Sequence, residues 1–319
     1  MSQLKQKEKI EAVMNQVNRV ILGKNDCIRR VMTAILAGGH VLIEDIPGVG
    51  KTSMALAFAR AMNLKQNRVQ FTPDVLPSDI TGFSMYVKAT DQFVYQPGAV
   101  MCNLFLADEI NRTSAKTQSA LLEVMEEGTV TVDGVTRAVP NPFVVIATEN
   151  PIGSAGTQML PESQLDRFMI CIEMGYPSPK DELEILMTQS EVRPLDSLEA
   201  VITESDLMEM QREAAQVYVH KTVCEYIIEL VNATRNHDAL ALGLSTRGAL
   251  AITKLAKAAA YMDGRSFVLP QDVVDVFPDG AIHRLKCSSK TRLNHGNVQQ
   301  VIEDILKHVE MPRPEKCRG

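Results

Sequence analysis

The stretch "HVLIEDIPGVGKTSMALAFARAMN" (40–63) constrains what this chain can fold into more than any other. An apolar run at 40–44 feeds directly into a loop containing Pro47, Gly48 and Gly50, and a helical pattern starts behind it. Met54, Ala55, Phe58 and Ala59 recur at helical spacing among good helix formers. Strand, glycine loop and helix in that order make a cradle for phosphate, with backbone amides curling round the anion at the positive end of a helix. Gly48 and Gly50 let the backbone approach closely and take positive φ. Lys51 supplies a point charge, and the Thr52 hydroxyl can ligate Mg2+. The usual spacing is Gly, four residues, then Gly-Lys-Ser/Thr, but the position five before Gly50 is Asp45. Asp45 lies at the strand exit, where a glycine serves chain geometry more than phosphate contact. The loop is therefore expected to work, with Pro47, Gly48, Val49, Gly50, Lys51, Thr52 and Ser53 around the nucleotide.

Further apolar runs follow at 103–108, 143–148 and 167–174, separated by helical patterns. Buried strands alternating with helices predict an α/β fold with a parallel sheet covered on both faces. After "GYPSPKDE" (175–182), whose prolines and turn residues mark a linker, the pattern becomes helical. Val223, Tyr226, Ile227, Leu230 and Val231 share one helix face. A second helix is expected over 246–263, capped by Ser245 or Thr246 and closed near Gly264, and a third from Pro270. The predicted organisation is a nucleotide-binding α/β domain at 1–177 and a small all-helical domain at 178–319. The tail "MPRPEKCRG" is expected to be poorly ordered.

The strand ends carry the remaining chemistry. "NLFLADEINR" delivers Asp108 and Glu109 at a strand's C-terminal end, where open α/β sheets put their ligands. Asp108 would hold Mg2+ directly or through water, and Glu109 would orient and polarise the attacking water. An isolated Asp-Glu is commonly an acidic cap, but a phosphate loop upstream favours catalysis. "FVVIATENP" ends in Asn150, placed to hold the lytic water or touch the γ-phosphate; alone it would be a turn asparagine before proline. Arg167 and Arg247 would each be ordinary surface arginines singly, yet arginine is the residue that stabilises a transferring phosphoryl group. "TVTVDGVTRAV" alternates apolar and polar residues around Asp133-Gly134, a hairpin signal.

Composition excludes several classes. No apolar run approaches the ~18 residues a membrane helix needs, and the N-terminus lacks a signal core. Six cysteines without CxxC pairs fit reduced cytoplasmic thiols rather than a disulfide frame or zinc site. The net charge of −6 argues against a dedicated nucleic-acid binder.

Taken together, "VLIEDIPGVGKT", "QFTPDVLPSDITG", "LFLADEINR", "ATENP" and "LPESQLDRF" resemble, in order, the signature blocks of the MoxR family of AAA+ ATPases. The resemblance spans about residues 10–310. Asp or Gly before xPGxGKT is usual in such loops. The resemblance implies ATP or ADP with Mg2+ as cofactors, an AAA+ core followed by a helical lid, and a homo-oligomeric ring, expected to be a hexamer. By position, Gly48, Gly50, Lys51 and Thr52 match Walker A, Asp108 and Glu109 Walker B, Asn150 sensor 1, Arg167 the arginine finger and Arg247 sensor 2. Val20, Ile21 and Gly23 occupy the place where the family holds adenine. Ser245-Thr246-Arg247-Gly248 departs from the commoner Ser-Pro-Arg-Ala. A helix 2 insert is implied near 82–100, and a β-hairpin before sensor 1 at 126–140, facing the ring's pore. The implied activity is ATP-driven remodelling or maturation of client proteins, including ones with von Willebrand factor A domains. Three other classes compete: a metal-chelatase motor subunit, a nucleic-acid motor, and a module using nucleotide only as a switch.

Overall fold

The computed structural model describes residues 2–150, 158–187, 194–293 and 296–312, with side chains from Gln6 onward. Pro151, Cys317 and most of the tail after Met311 lie outside the described residues.

Two N-terminal helices, α1 (Ser2–Asn18) and α2 (Asn25–Leu36), precede the first strand. The sequence reading did not anticipate either. Among the described side chains of α1, Ile10, Val13 and Val17 are buried in the core and Met14 packs against it, so its apolar stripe is narrow. Strand β1 (Val41–Glu44) then runs into helix α3 (Lys51–Ala61). Next come β2 (Gln66–Gln70), the short α4 (Pro77–Thr81), and a hairpin of β3 (Gly82–Val87) and β4 (Gln92–Pro97). Strand β5 (Leu104–Asp108), helix α5 (Ala115–Glu127), a second hairpin of β6 (Thr129–Val132) and β7 (Val135–Ala138), and β8 (Val144–Glu149) follow. After the short α6 (Glu162–Leu165), strand β9 (Ile170–Ile172) completes the main sheet.

The five parallel strands lie in the order β2-β5-β8-β1-β9. Side chains alternate between two cores, as period-2 geometry requires. Val41, Ile43, Leu106, Ile146 and Ile172 face α1, α2 and α3. Leu42, Phe105, Val145 and Cys171 face α5. Burial on both faces explains why these strands are legible as continuous apolar runs. β2 escaped notice because it is an edge strand of mostly polar, part-exposed residues paired only with β5.

The C-terminal half contains α7 (Pro179–Met187), α8 (Glu204–Ala215), α9 (Lys221–Arg235), β10 (Leu240–Leu242), α10 (Thr246–Met262), α11 (Pro270–Ala281), β11 (Lys286–Cys287), α12 (Ser289–Leu293) and α13 (Val298–His308). The expected cap of α10 is Ser245, whose hydroxyl accepts from the Gly248 amide, and α11 begins at Pro270. This half is helical but also holds the antiparallel ribbon β10–β11. It shares one continuous core with α1, α2 and one face of the sheet. A buried arginine fastens the halves: Arg284 donates to Asp166 Oδ1 at 2.6 Å and to the carbonyls of Phe168, Met169 and Gly280.

The two hairpins lie at the positions expected for inserts. Asp133 and Gly134 both have positive φ at the tip of the second, the geometry of a tight hairpin turn. At the base of the first, the backbones approach so closely that a Cβ on Gly98 would lie 2.2 Å from Gly82 N. The Arg137 guanidinium of β7 sits 4.1 Å from the centre of the Tyr95 ring in β4, joining the hairpins by a cation–π contact.

Asp45 has a structural role the motif spacing could not reveal. One carboxylate oxygen accepts the Ile46 amide at 2.7 Å, and the other accepts the amides of Met174 and Gly175 at 2.7 and 2.6 Å. The side chain at the missing glycine therefore binds the phosphate loop to the chain leaving β9. We expect Asp45→Gly, which restores the commoner motif, to lower stability by about 2–4 kcal/mol, because part-buried amides lose a charged acceptor. Urea unfolding checks this; a more stable variant would refute the tether.

His40 supplies a pH dependence. The buried ring accepts the Val145 amide at Nδ1 and donates from Nε2 to the Met125 carbonyl, both at 3.0 Å. Burial lowers its pKa to about 4. The folded state therefore prefers the neutral ring, and this contribution is present above the unfolded pKa of ~6.5 and is lost as pH falls towards 4. The stability of wild type minus that of His40→Gln should fall by roughly 3 kcal/mol between pH 7 and pH 4, and a flat difference would contradict the assignment.

Candidate functional site

Because β5, β8 and β1 are adjacent and parallel, their C-terminal ends open onto one edge. That edge gathers most of the expected residues. The loop between β1 and α3 has Gly48 at φ 88° and Gly50 at φ 94°, with Gly50 forming the N-cap of α3. A Cβ at Gly48 would meet no atom within 4 Å, so the left-handed backbone, not lack of room, calls for glycine there. Pro47 and Gly48 are exposed, while Val49, Thr52 and Ser53 are half-buried around the loop.

Lys51 is buried and donates to the backbone carbonyls of Asp45 at 2.5 Å and Glu149 at 3.1 Å. Burial lowers its pKa, opposed by Asp45, Asp108 and Glu109. Across the loop, Asp108 is the hub. Its Oδ2 accepts from Thr52 Oγ1 at 3.1 Å and from Arg68 at 2.7 Å, and its Oδ1 accepts from Thr148 Oγ1 at 2.7 Å. Thr52 and Asp108 thus bring two oxygens together at the mouth of the loop, a donor set suited to a hard cation such as Mg2+. Glu109 takes a left-handed backbone conformation, φ 55°, with its amide donating to Thr148 Oγ1. Its carboxylate accepts from Arg112 at 2.8 Å. The Asn150 carbonyl accepts from the buried Asn111 side chain at 3.2 Å.

The expected adenine segment also lies near the loop. Ile21 is buried, with its Cδ1 3.5 Å from where a Gly50 Cβ would stand. Val20 packs at the rim of the same core. Gly23 lies against the Asp181 carboxylate, and Lys24 donates to the carbonyls of Met174 and Tyr176.

Two expected residues do not join this group. Arg167 and Arg247 both bind Glu126, Arg167 Nε to Oε2 at 2.8 Å and an Arg247 terminal nitrogen to Oε1 at 2.6 Å. Among the described residues, neither hydrogen-bonds or ion-pairs with Lys51, Thr52, Asp108 or Glu109. The site residues therefore form two clusters on one chain.

Sequence reasoning missed Arg68, Thr148, Arg112 and Glu126. Arg68 stands in the polar edge strand that was not recognised. Thr148 ends an apolar run, and its contact with Asp108 depends on the pairing of β5 with β8. The others are charged residues within expected elements, and nothing in the linear spacing marks their partners. Next to Asn150, burial and the neighbouring Glu44 push the Glu149 carboxyl up to about 7.

The comparisons agree with this geometry. Residues 40–170 match the family model for the ATPase family associated with various cellular activities (AAA), and residues 232–308 match an AAA lid domain. Uncharacterized protein YeaC of Bacillus subtilis is 46% identical over 94% of this chain and 93% of its own length. Chaperone MoxR1 of Mycobacterium tuberculosis is 39% identical over 95% and 82%. A crystal structure from Cytophaga hutchinsonii, described as that of a proposed ATPase, superposes with a TM-score of 0.90 at 36% identity, covering 98% of this chain and 97% of that one. With the phosphate loop, the acidic strand end and the helical C-terminal region all matched along nearly its whole length, the chain belongs to the MoxR family of AAA+ ATPases.

Proposed function

We propose that the protein is a ring-forming, Mg2+-dependent ATPase that couples hydrolysis to the remodelling or maturation of partner proteins. The observation that carries this reading is the separation of the two clusters. One holds the loop, Asp108, Glu109 and Asn150; the other holds Arg167 and Arg247 on Glu126. A hydrolytic site usually needs cationic charge on the transferring phosphoryl group, and a neighbouring copy can supply these arginines.

In this reading Gly48, Gly50 and Lys51 hold the phosphates, Val20, Ile21 and Gly23 hold the base, and Thr52 with Asp108 would ligate Mg2+. The metal would neutralise charge on the β- and γ-oxygens. Glu109 polarises the attacking water once released from Arg112, and Asn150 positions it. The proposed division is an α/β domain at 1–177 and a lid at 178–319, with a hexameric ring the working assembly. The name of the MoxR1 relative, a chaperone, supports a client protein as the object of the work. Clients with von Willebrand factor A domains and a cytoplasmic location complete the proposal. Five described cysteines are free, and no described helix is long and apolar enough to cross a membrane.

A nucleic-acid motor is disfavoured by one contact. Arg137, the only basic residue of the 126–140 segment, packs on Tyr95 rather than projecting towards a phosphate backbone.

Lys51→Ala should abolish ATP binding, while Glu109→Gln should retain binding and lose turnover by ~10²–10⁴-fold. Nucleotide titration and steady-state hydrolysis of both variants decide the matter, since wild-type turnover in Glu109→Gln would remove that residue from the mechanism.

Trans action by Arg167 has its own signature. Specific activity should rise with protein concentration, and Arg167→Ala should bind ATP normally but hydrolyse it poorly. Mixing Arg167→Ala with Lys51→Ala should restore part of the activity, because an intact loop then meets an intact arginine across one interface. No recovery in mixed oligomers, together with concentration-independent activity, would place Arg167 in cis or in a structural ion pair.

A further inference from the structure

Glu126 is the one carboxylate that both arginines share, and the hydrolytic reading above gives it no role. It stands in the last turn of α5, 41 residues from Arg167 and 121 from Arg247 in sequence. Three elements distant in the chain therefore converge on one side chain. Both of its oxygens are used, one for each arginine.

The way each guanidinium is held matters more than the pairing itself. Arg167 is gripped through Nε, the nitrogen nearest its stem. Its two terminal nitrogens make no hydrogen bond to the described residues, so its outer fork is left for another planar or tetrahedral anion. Arg247 is gripped through one terminal nitrogen, with its other donors uncommitted among the described residues. Two cations on one carboxylate leave an excess of one positive charge, so the cluster still attracts phosphate. Arg247 and then Arg167 hold the Glu126 carboxyl below its ordinary range, and the anion persists at neutral pH.

The backbones beneath the arginines are fastened as well. Asp166, next to Arg167, accepts from Arg284 at 2.6 Å and from Ser245, the cap of the helix carrying Arg247, at 3.1 Å. Arg284 is buried, so this base is rigid. The cluster above it is open: the side chains of Arg167, Glu126 and Arg247 are 26%, 34% and 45% exposed. A rigid base, an open top and free outer nitrogens describe a preorganised anion clamp.

We propose that Glu126 is a positioning residue that holds Arg167 and Arg247 as one cationic unit, aimed outward at the γ-phosphate bound by a neighbouring copy. The proposal rests on the trans reading of those arginines. Glu126 never touches nucleotide; it acts by fixing two side chains that would otherwise sample many rotamers. An exposed ion pair of this kind contributes little to stability, so its removal should show in turnover rather than in folding.

The test uses the full chain and steady-state ATP hydrolysis. Glu126→Gln keeps the shape and loses the charge. Its kcat should fall between about tenfold and 10²-fold, the scale of a misplaced reacting geometry, with KM for ATP, thermal midpoint and oligomeric state unchanged. Glu126→Asp, which keeps the charge, should recover part of the loss. In an Arg167→Ala, Arg247→Ala background, Glu126→Gln should cost almost nothing further, because its targets are gone.

Wild-type turnover in Glu126→Gln, while Arg167→Ala and Arg247→Ala each lose activity, would overturn the role of Glu126 and leave the trans reading standing. A fully additive loss in the triple variant, or a loss of assembly instead of kcat, would overturn it equally. Wild-type turnover in both arginine variants would remove the trans reading and this proposal with it.

Discussion

The carboxylate of Asp45 decides where the phosphate loop sits. It accepts one amide from its own loop and two from the chain leaving β9. Charge-assisted bonds to partly buried donors are among the stronger local restraints a fold has. This one binds the exit of β1 to the exit of its neighbour, the edge strand β9, with β8 on the other side of β1. Lys51 then folds back onto the carbonyls of Asp45 and Glu149, adding β8 to the same knot. The orientation of α3, and with it the loop amides proposed to face the nucleotide, follows from those bonds.

Around that knot the protein manages charge by distance and by pairing. Asp108 sits among three donors, Thr52, Arg68 and Thr148, so its carboxylate is not buried alone. Glu109 is held by Arg112 from a left-handed backbone position, a conformation uncommon for a glutamate. Glu149, with one buried oxygen unpartnered among the described residues and Glu44 alongside, is better accommodated as the neutral acid. The arginines lie elsewhere, on Glu126. In the proposed function, the charges that would accelerate hydrolysis are thus stored apart from the loop that would bind the nucleotide, an arrangement that makes an assembled neighbour useful.

The hairpins extend this logic outward. α5 carries Glu126 in its last turn and leads within two residues into β6, while Arg137 of β7 binds the Tyr95 ring of the first hairpin. Phe83, Met85 and Phe93 of that first hairpin are largely exposed, an apolar surface that the rest of the fold does not cover.

Much of this was legible in the linear sequence, and the reason is physical. Strands buried on both faces must be continuously apolar, so β1, β5, β8 and β9 stood out, and the residues at their C-terminal ends, Asp108, Glu109 and Asn150, could be named as candidates. The left-handed turns at Gly48 and Gly50, the Asp133-Gly134 hairpin and the Ser245 cap are local chemistry, so they too were readable. What the sequence could not carry was anything set by partners far along the chain. The polar edge strand β2 has no pattern of its own, and Arg68 went unnoticed with it. α1 buries its stripe chiefly against α2 and α3, and α2 packs against α8 and α10 of the distant helical half. Asp45 looked like a tolerated departure from a motif, and only the approach of Met174 and Gly175 made it a tether. Likewise Arg167 and Arg247 were identified by their neighbours in sequence, but their common partner Glu126 was decided by tertiary packing, because a carboxylate finds its cations through space.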